Sequence, residues 1–171
     1  MNDQVVLVTE NDEAIGLMPK LEAHEKGVLH RAFSVFIFNS KNEMLLQRRA
    51  FGKYHSEGLW SNTCCSHPLP GEPVHDGAVR RLREEMGIEA DLEFLYTFQY
   101  RADLENGLTE NELDHVFYGV SDAVPTIDPA EASDYKYLTI HEIQADIQQN
   151  PHTYTEWFKI CMPVMARRIG S

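Results

Sequence analysis

The hydrophobic and polar positions of this chain follow two periods, the twofold alternation of strands and the helical period of about 3.6 residues. Alternating or short apolar runs predict strands at Val5–Thr9, His30–Asn39, Met44–Arg49, Leu59–Ser66, Leu92–Asp103, Leu113–Val120 and Tyr135–Thr139. Amphipathic stretches predict helices at Pro19–Glu25, Pro73–Met86, His141–Gln149 and Tyr154–Ile169. This mixture, without internal repeats, predicts an α/β or α+β fold.

Turn and cap residues separate these elements. Ser40-Lys41-Asn42-Glu43 predicts a hairpin between the second and third strands. Asn106-Gly107 predicts a turn before the strand that begins at Leu113, and Gly87 ends the predicted helix Pro73–Met86.

Length and composition favour one domain, residues 1–171, because 43% of the residues are hydrophobic and can fill a core. The sequence shows no apolar run long enough for a membrane span and no signal-peptide pattern, so we expect a cytoplasmic protein. Three cysteines, two of them adjacent, fit a reducing compartment. A net charge of -12 argues against a nucleic-acid partner and leaves monomer and homodimer both open.

Two short segments carry the clearest chemical signal. In an extended strand, Cys65 and His67 of Cys64-Cys65-Ser66-His67 project to one side and Cys64 to the other. Glu110 and Glu112 share a face by the same rule. A histidine and two carboxylates that converge with further histidines suit a borderline divalent ion, with the sulfur of Cys65 free beside it. This composition favours an active site over a structural zinc site, which would use its cysteines as ligands.

The positive charge is concentrated in three places despite the acidic background. The groups are Arg48, Arg49 and Lys53; Arg80, Arg81 and Arg83; and Lys20 with Arg31. Such clusters suit a small phosphate ligand held together with a metal, although solvated surface charges would give the same pattern. On the helix 73–86, Arg80 and Arg81 each precede a glutamate by four residues, the less favourable order for helix stability. The weak structural benefit points to another use for these charges.

The segment Glu72, seven residues, and then Arg80-Arg81-Leu82-Arg83-Glu84-Glu85-Met86-Gly87-Ile88 resembles the Nudix box, G-x5-E-x7-R-E-U-x-E-E-x-G-U, where U is apolar. Ser66 stands where the first glycine is expected, and Arg81 where a metal-binding glutamate is expected. The resemblance implies a Nudix-like mixed β-sheet sandwiched by helices. By the same resemblance, hydrolase chemistry needs a metal-binding glutamate at the position of Arg81, so the arginine argues against hydrolysis of a diphosphate.

Three further runs resemble signature segments of the type 1 isopentenyl-diphosphate delta-isomerases. They are Leu29-His30-Arg31-Ala32-Phe33-Ser34, Asn62-Thr63-Cys64-Cys65-Ser66-His67-Pro68 and Glu110-Asn111-Glu112. This resemblance, over about residues 5 to 165, implies conversion of isopentenyl diphosphate to dimethylallyl diphosphate through a tertiary carbocation.

The resemblance also implies two metal sites and a diphosphate site. One ion, Mn2+, Zn2+ or Mg2+, would be bound by His24, His30, His67, Glu110 and Glu112. A second ion, Mg2+, would bridge Glu85 and the diphosphate, with the backbone carbonyl of Cys65 as a further ligand. The diphosphate would be held by Lys20, Arg49, Lys53 and Arg81.

Four residues would carry the chemistry by the same resemblance. Cys65 and Glu112 would donate and accept the protons, with Glu112 favoured as the acid and Cys65 as the base; Tyr100 would assist Glu112, and the indole of Trp157 would stabilise the cation. Two alternatives remain: a Nudix hydrolase of a nucleoside diphosphate derivative, and a non-catalytic metal-binding domain. The remaining histidines are expected to be ordinary surface or core residues: His55, His75, His115, His141 and His152.

Overall fold

The computed structural model describes residues 4–53 and 55–170, so the ends of the predicted domain 1–171 lie outside the described residues. The strands are β1 Gln4–Val8, β2 Ala14–Pro19, β3 His30–Phe38, β4 Glu43–Arg49, β5 Trp60–Ser61, β6 Cys64–Ser66, β7 Glu93–Asp103, β8 Thr109–Val120 and β9 Ala132–Thr139. The helices are α1 Lys20–Lys26, α2 Val74–Met86, α3 Ile140–Gln149 and α4 Glu156–Met165. Short 3-10 turns occupy Glu105–Gly107 and Pro151–Thr153.

Strand β3 is the centre of a mixed sheet. Along one edge it pairs with β8 in parallel over its full length, from His30 opposite Glu112 to Phe38 opposite Val120. Along the other edge it meets antiparallel β1, β6 and β4 in turn. This position places β6, β3 and β8 side by side, which brings the two chemically rich segments of the sequence onto neighbouring strands.

The predicted hairpin between β3 and β4 is only partly correct. A tight turn joins the two strands, but they pair only where Phe38 lies opposite Met44. Beyond that pair the strands separate, and Thr63 lies between them. Its hydroxyl accepts a hydrogen bond from the backbone of Ile37 at 2.9 Å and donates one to the carbonyl of Leu45 at 2.6 Å. One side chain therefore bridges the two strands in place of ladder hydrogen bonds.

The predicted strand Leu59–Ser66 is wrong as a single element, because it is broken at Asn62 and Thr63 into β5 and β6. The Asn62 amide donates to the carbonyls of Val35 and Cys64, at 2.9 and 3.0 Å. The segment pairs with β4 as β5 and then with β3 as β6. The side-chain bonds of Asn62 stabilise the chain where it changes partner. The crossing sets Cys65 opposite Ser34 in the β3–β6 register.

Other boundaries differ from the predictions by a few residues. Strand β2 was not predicted because its residues are mostly exposed and lack an alternating pattern. Strand β8 begins at Thr109 rather than Leu113, and β9 at Ala132 rather than Tyr135. The last helix is regular only to Met165 and continues as a π-helical turn, Ala166–Gly170. Pro163 in this helix lacks the N–H that a regular helix needs there.

Helices cover both faces of the sheet, as the predicted Nudix-like sandwich requires. Phe33, Val35 and Ile37 of β3 pack in one core with Leu82 and Met86 of α2. The alternate residues of β3 face the opposite way, towards α3 and α4, and join a second core with Phe158 and Ile143. His30 of β3 and Glu112 of β8, described next, lie on this second face. In the described part of the chain, no helix has the length and apolar character needed to cross a membrane.

Candidate active site

A row of side chains crosses three strands at the end of the sheet near α1. Tyr100 of β7 lies opposite Glu112 of β8, which lies opposite His30 of β3. The Tyr100 hydroxyl donates a hydrogen bond to Glu112 Oε1 at 2.7 Å and approaches Glu110 Oε1 at 3.3 Å. All four side chains are buried. The early start of β8 at Thr109 matters here, because it puts Glu110 and Glu112 on the same strand face.

Three lone-pair atoms converge beside this row. Glu112 Oε2 lies 3.2 Å from His30 Nε2 and 3.0 Å from His67 Nε2, and the two imidazole nitrogens are 3.3 Å apart. His24 of α1 completes the group, with its Nε2 4.0 Å from Glu110 Oε2. Ligand atoms of His24, His30, His67 and Glu112 all fall within 4.8 Å of one another. The structure thus brings together all five residues predicted to bind the first metal.

Backbone carbonyls orient two of these imidazoles. His24 Nδ1 donates to the carbonyl of Lys20 at 2.8 Å, and His30 Nδ1 donates to that of Val28 at 2.9 Å. Each Nδ1 hydrogen fixes the tautomer, so each Nε2 presents a lone pair to the cluster. Gly27 ends α1 in the left-handed region, φ 66°, and turns the chain from His24 to His30. The short segment between these two residues therefore supports the site.

Burial and mutual contacts set the pKa values of this cluster. Burial opposes a charge on His30, but its hydrogen bond to Glu112 outweighs this and raises the pKa of His30. Burial lowers the pKa of His67 to about 4. Burial also raises the pKa of Glu110, together with the charge of Glu112. Burial likewise disfavours ionised Glu112, yet contacts with His30 and His67 hold its pKa well below the usual range. A proton on one imidazole reduces only part of the repulsion between the lone pairs of His30, His67 and Glu112. A divalent cation would accept all of these lone pairs as ligands.

Cys65 lies on the same face and lines the same cavity as Glu112 and Tyr100. Its sulfur lies 2.9 Å from Asn62 Oδ1 and accepts a hydrogen bond from Trp157 Nε1 at 3.1 Å. Burial and the nearby Asp114 raise the pKa of the Cys65 thiol. Cys64 points the other way, into the core beside α2, as the strand alternation predicted.

The far end of this cavity is rich in charge. Arg81 of α2 contacts Glu85 Oε2 at 2.7 Å and Glu131 Oε2 at 3.2 Å. Lys53 also contacts Glu131, at 2.6 Å. Glu85 is buried; burial raises the pKa of its carboxyl, and the Arg81 charge opposes that shift. Lys20 lines the same cavity. The four predicted cations and Glu85 therefore share one site, with Glu131 as a carboxylate that the sequence did not reveal.

Arg49 links the two ends of the cavity. Its guanidinium lies 5.3 Å from the ring centroid of Trp157, and its Nη2 donates to the carbonyl of His55 at 3.2 Å. Its Nε is buried without a hydrogen-bond partner among the described residues. Such a donor favours an anionic ligand. The predicted stabilisation of a carbocation by the Trp157 ring stays a prediction.

His55 was expected to be an ordinary histidine, but the structure places it in the cavity. It is 5% exposed and stacks on His24, with ring centroids 5.5 Å apart. Burial and the Arg49 charge lower its pKa to about 2. Neither its spacing nor its neighbours in the sequence signalled this position. His75 Nε2 instead donates to the carbonyl of Leu92, and His115 Nε2 donates to the carboxylate of Asp12, both outside the cavity.

Comparison with known proteins agrees with this fold. The Nudix domain model matches residues 28–158. A protein of Deinococcus radiodurans has a similar structure, with a TM-score of 0.72 and 21% identity over 86% of this chain and 90% of that one. The chain belongs to the Nudix domain family.

Closer relatives define the chain further. An isopentenyl-diphosphate Delta-isomerase of Pectobacterium atrosepticum is 55% identical, covering 92% of this chain and 88% of that protein. Isopentenyl-diphosphate Delta-isomerase 2 of Aromatoleum aromaticum is 50% identical, covering 95% and 86%. Within the Nudix proteins, this chain is a member of the isopentenyl-diphosphate Delta-isomerase family.

Proposed function

We propose that this protein converts isopentenyl diphosphate to dimethylallyl diphosphate. The observation that carries the proposal is a single cavity with proton-transfer groups and anion-binding groups together. Cys65, Glu112 and Tyr100 line the cavity with Arg49 and Arg81. An allylic proton shift in a diphosphate ester needs both sets of groups, one for the hydrocarbon and one for the anion.

The anion end would hold the diphosphate. Arg49 offers a buried Nε donor, and Lys53 and Arg81 would exchange part of their contact with Glu131 for phosphate oxygens. Glu85 lies beside Arg81 and would hold Mg2+ against the diphosphate. Lys20 would contribute from the first turn of α1. With the diphosphate bound at this end, the hydrocarbon tail would extend along the cavity towards Cys65 and Glu112.

His24, His30, His67, Glu110 and Glu112 would hold the other divalent ion. Their mixed imidazole and carboxylate donors suit Mn2+ or Zn2+, and Mg2+ less well. When bound, such an ion neutralises the carboxylates and sets the proton affinity of Glu112. The buried Nδ1 hydrogen bonds of His24 and His30 would hold the ligands in place.

Cys65 and Glu112 would move the two protons. One adds a proton to the terminal carbon of the double bond, which gives a tertiary cation; the other removes a proton from C2, whose C–H electron pair becomes the new double bond. Burial raises the pKa of the Cys65 thiol; burial also opposes an ionised Glu112, but the contacts with His30 and His67 hold the pKa of Glu112 below its usual range. The residue that donates is left without its proton and the other keeps the proton from C2, so a proton must return to the donor before the next forward turnover; in the reverse reaction the two roles exchange. Tyr100 would hold Glu112 through its hydroxyl.

Arg81 separates this function from diphosphate hydrolysis. The side chain fills the position where the Nudix box has a glutamate, and it makes ion pairs with Glu85 and Glu131. A cation there stabilises an intact diphosphate but adds no metal ligand. We therefore place hydrolysis of a nucleoside diphosphate derivative second.

The experiment compares wild type with Arg81→Glu, and uses Arg83→Glu on the exposed side of α2 as the matched control. Each protein is incubated with Mg2+ and either isopentenyl diphosphate or ADP-ribose; dimethylallyl diphosphate and inorganic phosphate are measured with the first substrate, and AMP with the second. We expect wild type and Arg83→Glu to isomerise without hydrolysis. Arg81→Glu should raise the KM by about tenfold or more, because a phosphate contact becomes repulsive. Hydrolysis of ADP-ribose by wild type, without isomerisation, would overturn the proposal. The predicted cytoplasmic location, and the choice between monomer and homodimer, stay predictions.

A further inference from the structure

His55 is a buried histidine of the cavity that the function proposed above does not use. It lies on the loop between β4 and β5 and is 5% exposed. Its ring stacks on His24 and meets the Trp157 ring edge to face, with 6.0 Å between the latter centroids. An imidazole buried against a proposed metal ligand is itself a candidate ligand.

The backbone on both sides of this ring is held in place. Ser56 has a left-handed conformation, φ 55°, which costs free energy in a residue with a side chain. The Ser56 N–H donates to Glu105 Oε2 at 2.7 Å. Arg49 Nη2 donates to the carbonyl of His55 at 3.2 Å. The loop therefore keeps a strained backbone that fixes the position of the His55 ring.

The hydrogen-bond partners indicate which nitrogen of each ring can bind an ion. His55 Nδ1 lies 3.1 Å from Ser56 Oγ, and the tautomer that donates to this oxygen presents the lone pair of Nε2. His24 Nδ1 donates to the carbonyl of Lys20, so His24 likewise offers Nε2. One lone pair binds one ion. Every group of ligands that includes His24 therefore belongs to the same ion.

Glu110 connects His55 with the proposed metal site. Ligand atoms of His24, His55 and Glu110 lie within 4.8 Å of one another. By this distance Glu110 is grouped with His55 instead of with the cluster around Glu112, and His24 belongs to both groups. Because His24 binds one ion, the two groups surround a single ion. An ion that Glu110 can reach is therefore also within reach of His55.

We propose that His55 is a sixth ligand of this divalent ion, in addition to the five proposed above. This inference rests on the metal site of the proposed function. Four imidazoles and two carboxylates then surround the ion. Six donors favour an ion that accepts six ligands, such as Mn2+ or Co2+, over Zn2+, which in most protein sites takes four.

The test counts the imidazoles that are bonded to the ion. The full chain is loaded with Co2+, and its strongly shifted, exchangeable imidazole N–H signals are recorded by proton NMR. A ring that packs near the ion without a bond to it shifts far less. His55→Phe keeps a ring against His24 but has no nitrogen, and His152→Phe, at an exposed position, is the matched control. The Kd for Co2+ and the isomerisation of isopentenyl diphosphate are measured for the same proteins.

Wild type and His152→Phe should show four shifted N–H signals, and His55→Phe three. The Kd for Co2+ should rise by about tenfold or more in His55→Phe, because even the loss of a group that orients a ligand weakens metal binding by about 10- to 100-fold. If His55→Phe does not fold, His55→Ala replaces it. If neither folds, the wild-type count of four or three decides.

Three signals in wild type, or equal counts in wild type and the folded His55 variant, would overturn the proposal even if binding is weaker. Wild type that binds no Co2+ would overturn it as well. If wild type binds Co2+ through four imidazoles but does not isomerise isopentenyl diphosphate, the proposed function fails and the assignment of His55 stands.

Discussion

At the scale of single residues, Glu112 is the carboxylate on which the site is built. One oxygen accepts the Tyr100 hydroxyl at 2.7 Å, and the other faces His30 and His67. The two oxygens therefore differ in their surroundings: Oε1 faces the Tyr100 hydroxyl, and Oε2 faces the proposed metal-binding histidines. This division would allow Glu112 to take both proposed roles, as a metal ligand and as a proton-transfer group.

Tyr100→Phe tests the role of that hydroxyl. Removing it leaves Glu112 Oε1 without its closest donor, so kcat should fall by about a hundredfold. Bound metal should be unchanged, because Tyr100 meets the oxygen that does not face the histidines. Tyr96→Phe is the matched control. Tyr96 lies on the same strand, β7, and its buried hydroxyl makes no hydrogen bond with the described residues. Steady-state kinetics and metal analysis of both variants provide the measurement, and equal kcat values would refute a role for Tyr100.

At the scale of elements, the crossing at Asn62 and Thr63 positions Cys65. The Thr63 side chain replaces backbone ladder bonds between β3 and β4, and the Asn62 side chain bonds to the carbonyls of Val35 in β3 and Cys64 in β6. The sequence predicted one continuous strand here, because an apolar and polar alternation does not show where side chains substitute for backbone partners. Asn62 also accepts from Cys65. One irregular dipeptide thus determines both the strand path and the environment of the sulfur.

Thr63→Val tests this structural role. Valine has nearly the same shape, but it leaves the Ile37 N–H and the Leu45 carbonyl buried without a partner. The free energy of unfolding should fall by about 2 to 4 kcal/mol. Thr97→Val, at an exposed position of β7, should change it by less than about 0.5 kcal/mol. Urea unfolding followed by fluorescence gives both values, and similar stabilities would show that the Thr63 bonds are dispensable.

At the scale of the whole molecule, the sequence predicted most of the fold and most of the residues that line the candidate site. Strand alternation indicated the common faces of Cys65 and His67, and of Glu110 and Glu112, and local caps located α1 and α2. Contacts between distant segments were beyond reach. Glu131 enters the site through ion pairs with Lys53 and Arg81, and His55 through packing on His24. No local pattern in the sequence distinguishes these residues from surface or core residues of the same type.

The whole molecule places the proposed proton-transfer groups in one cavity. There, one group would add a proton to one carbon of isopentenyl diphosphate, and another would remove a proton from a second carbon. The most direct test is to incubate the metal-loaded protein with isopentenyl diphosphate in deuterated water and to follow the products by NMR, with Cys65→Ala and Glu112→Gln in parallel. We expect dimethylallyl diphosphate with deuterium in a methyl group from wild type, and almost none from either folded variant. Product without deuterium, or product from Cys65→Ala at the wild-type rate, would contradict proton transfer through this pair.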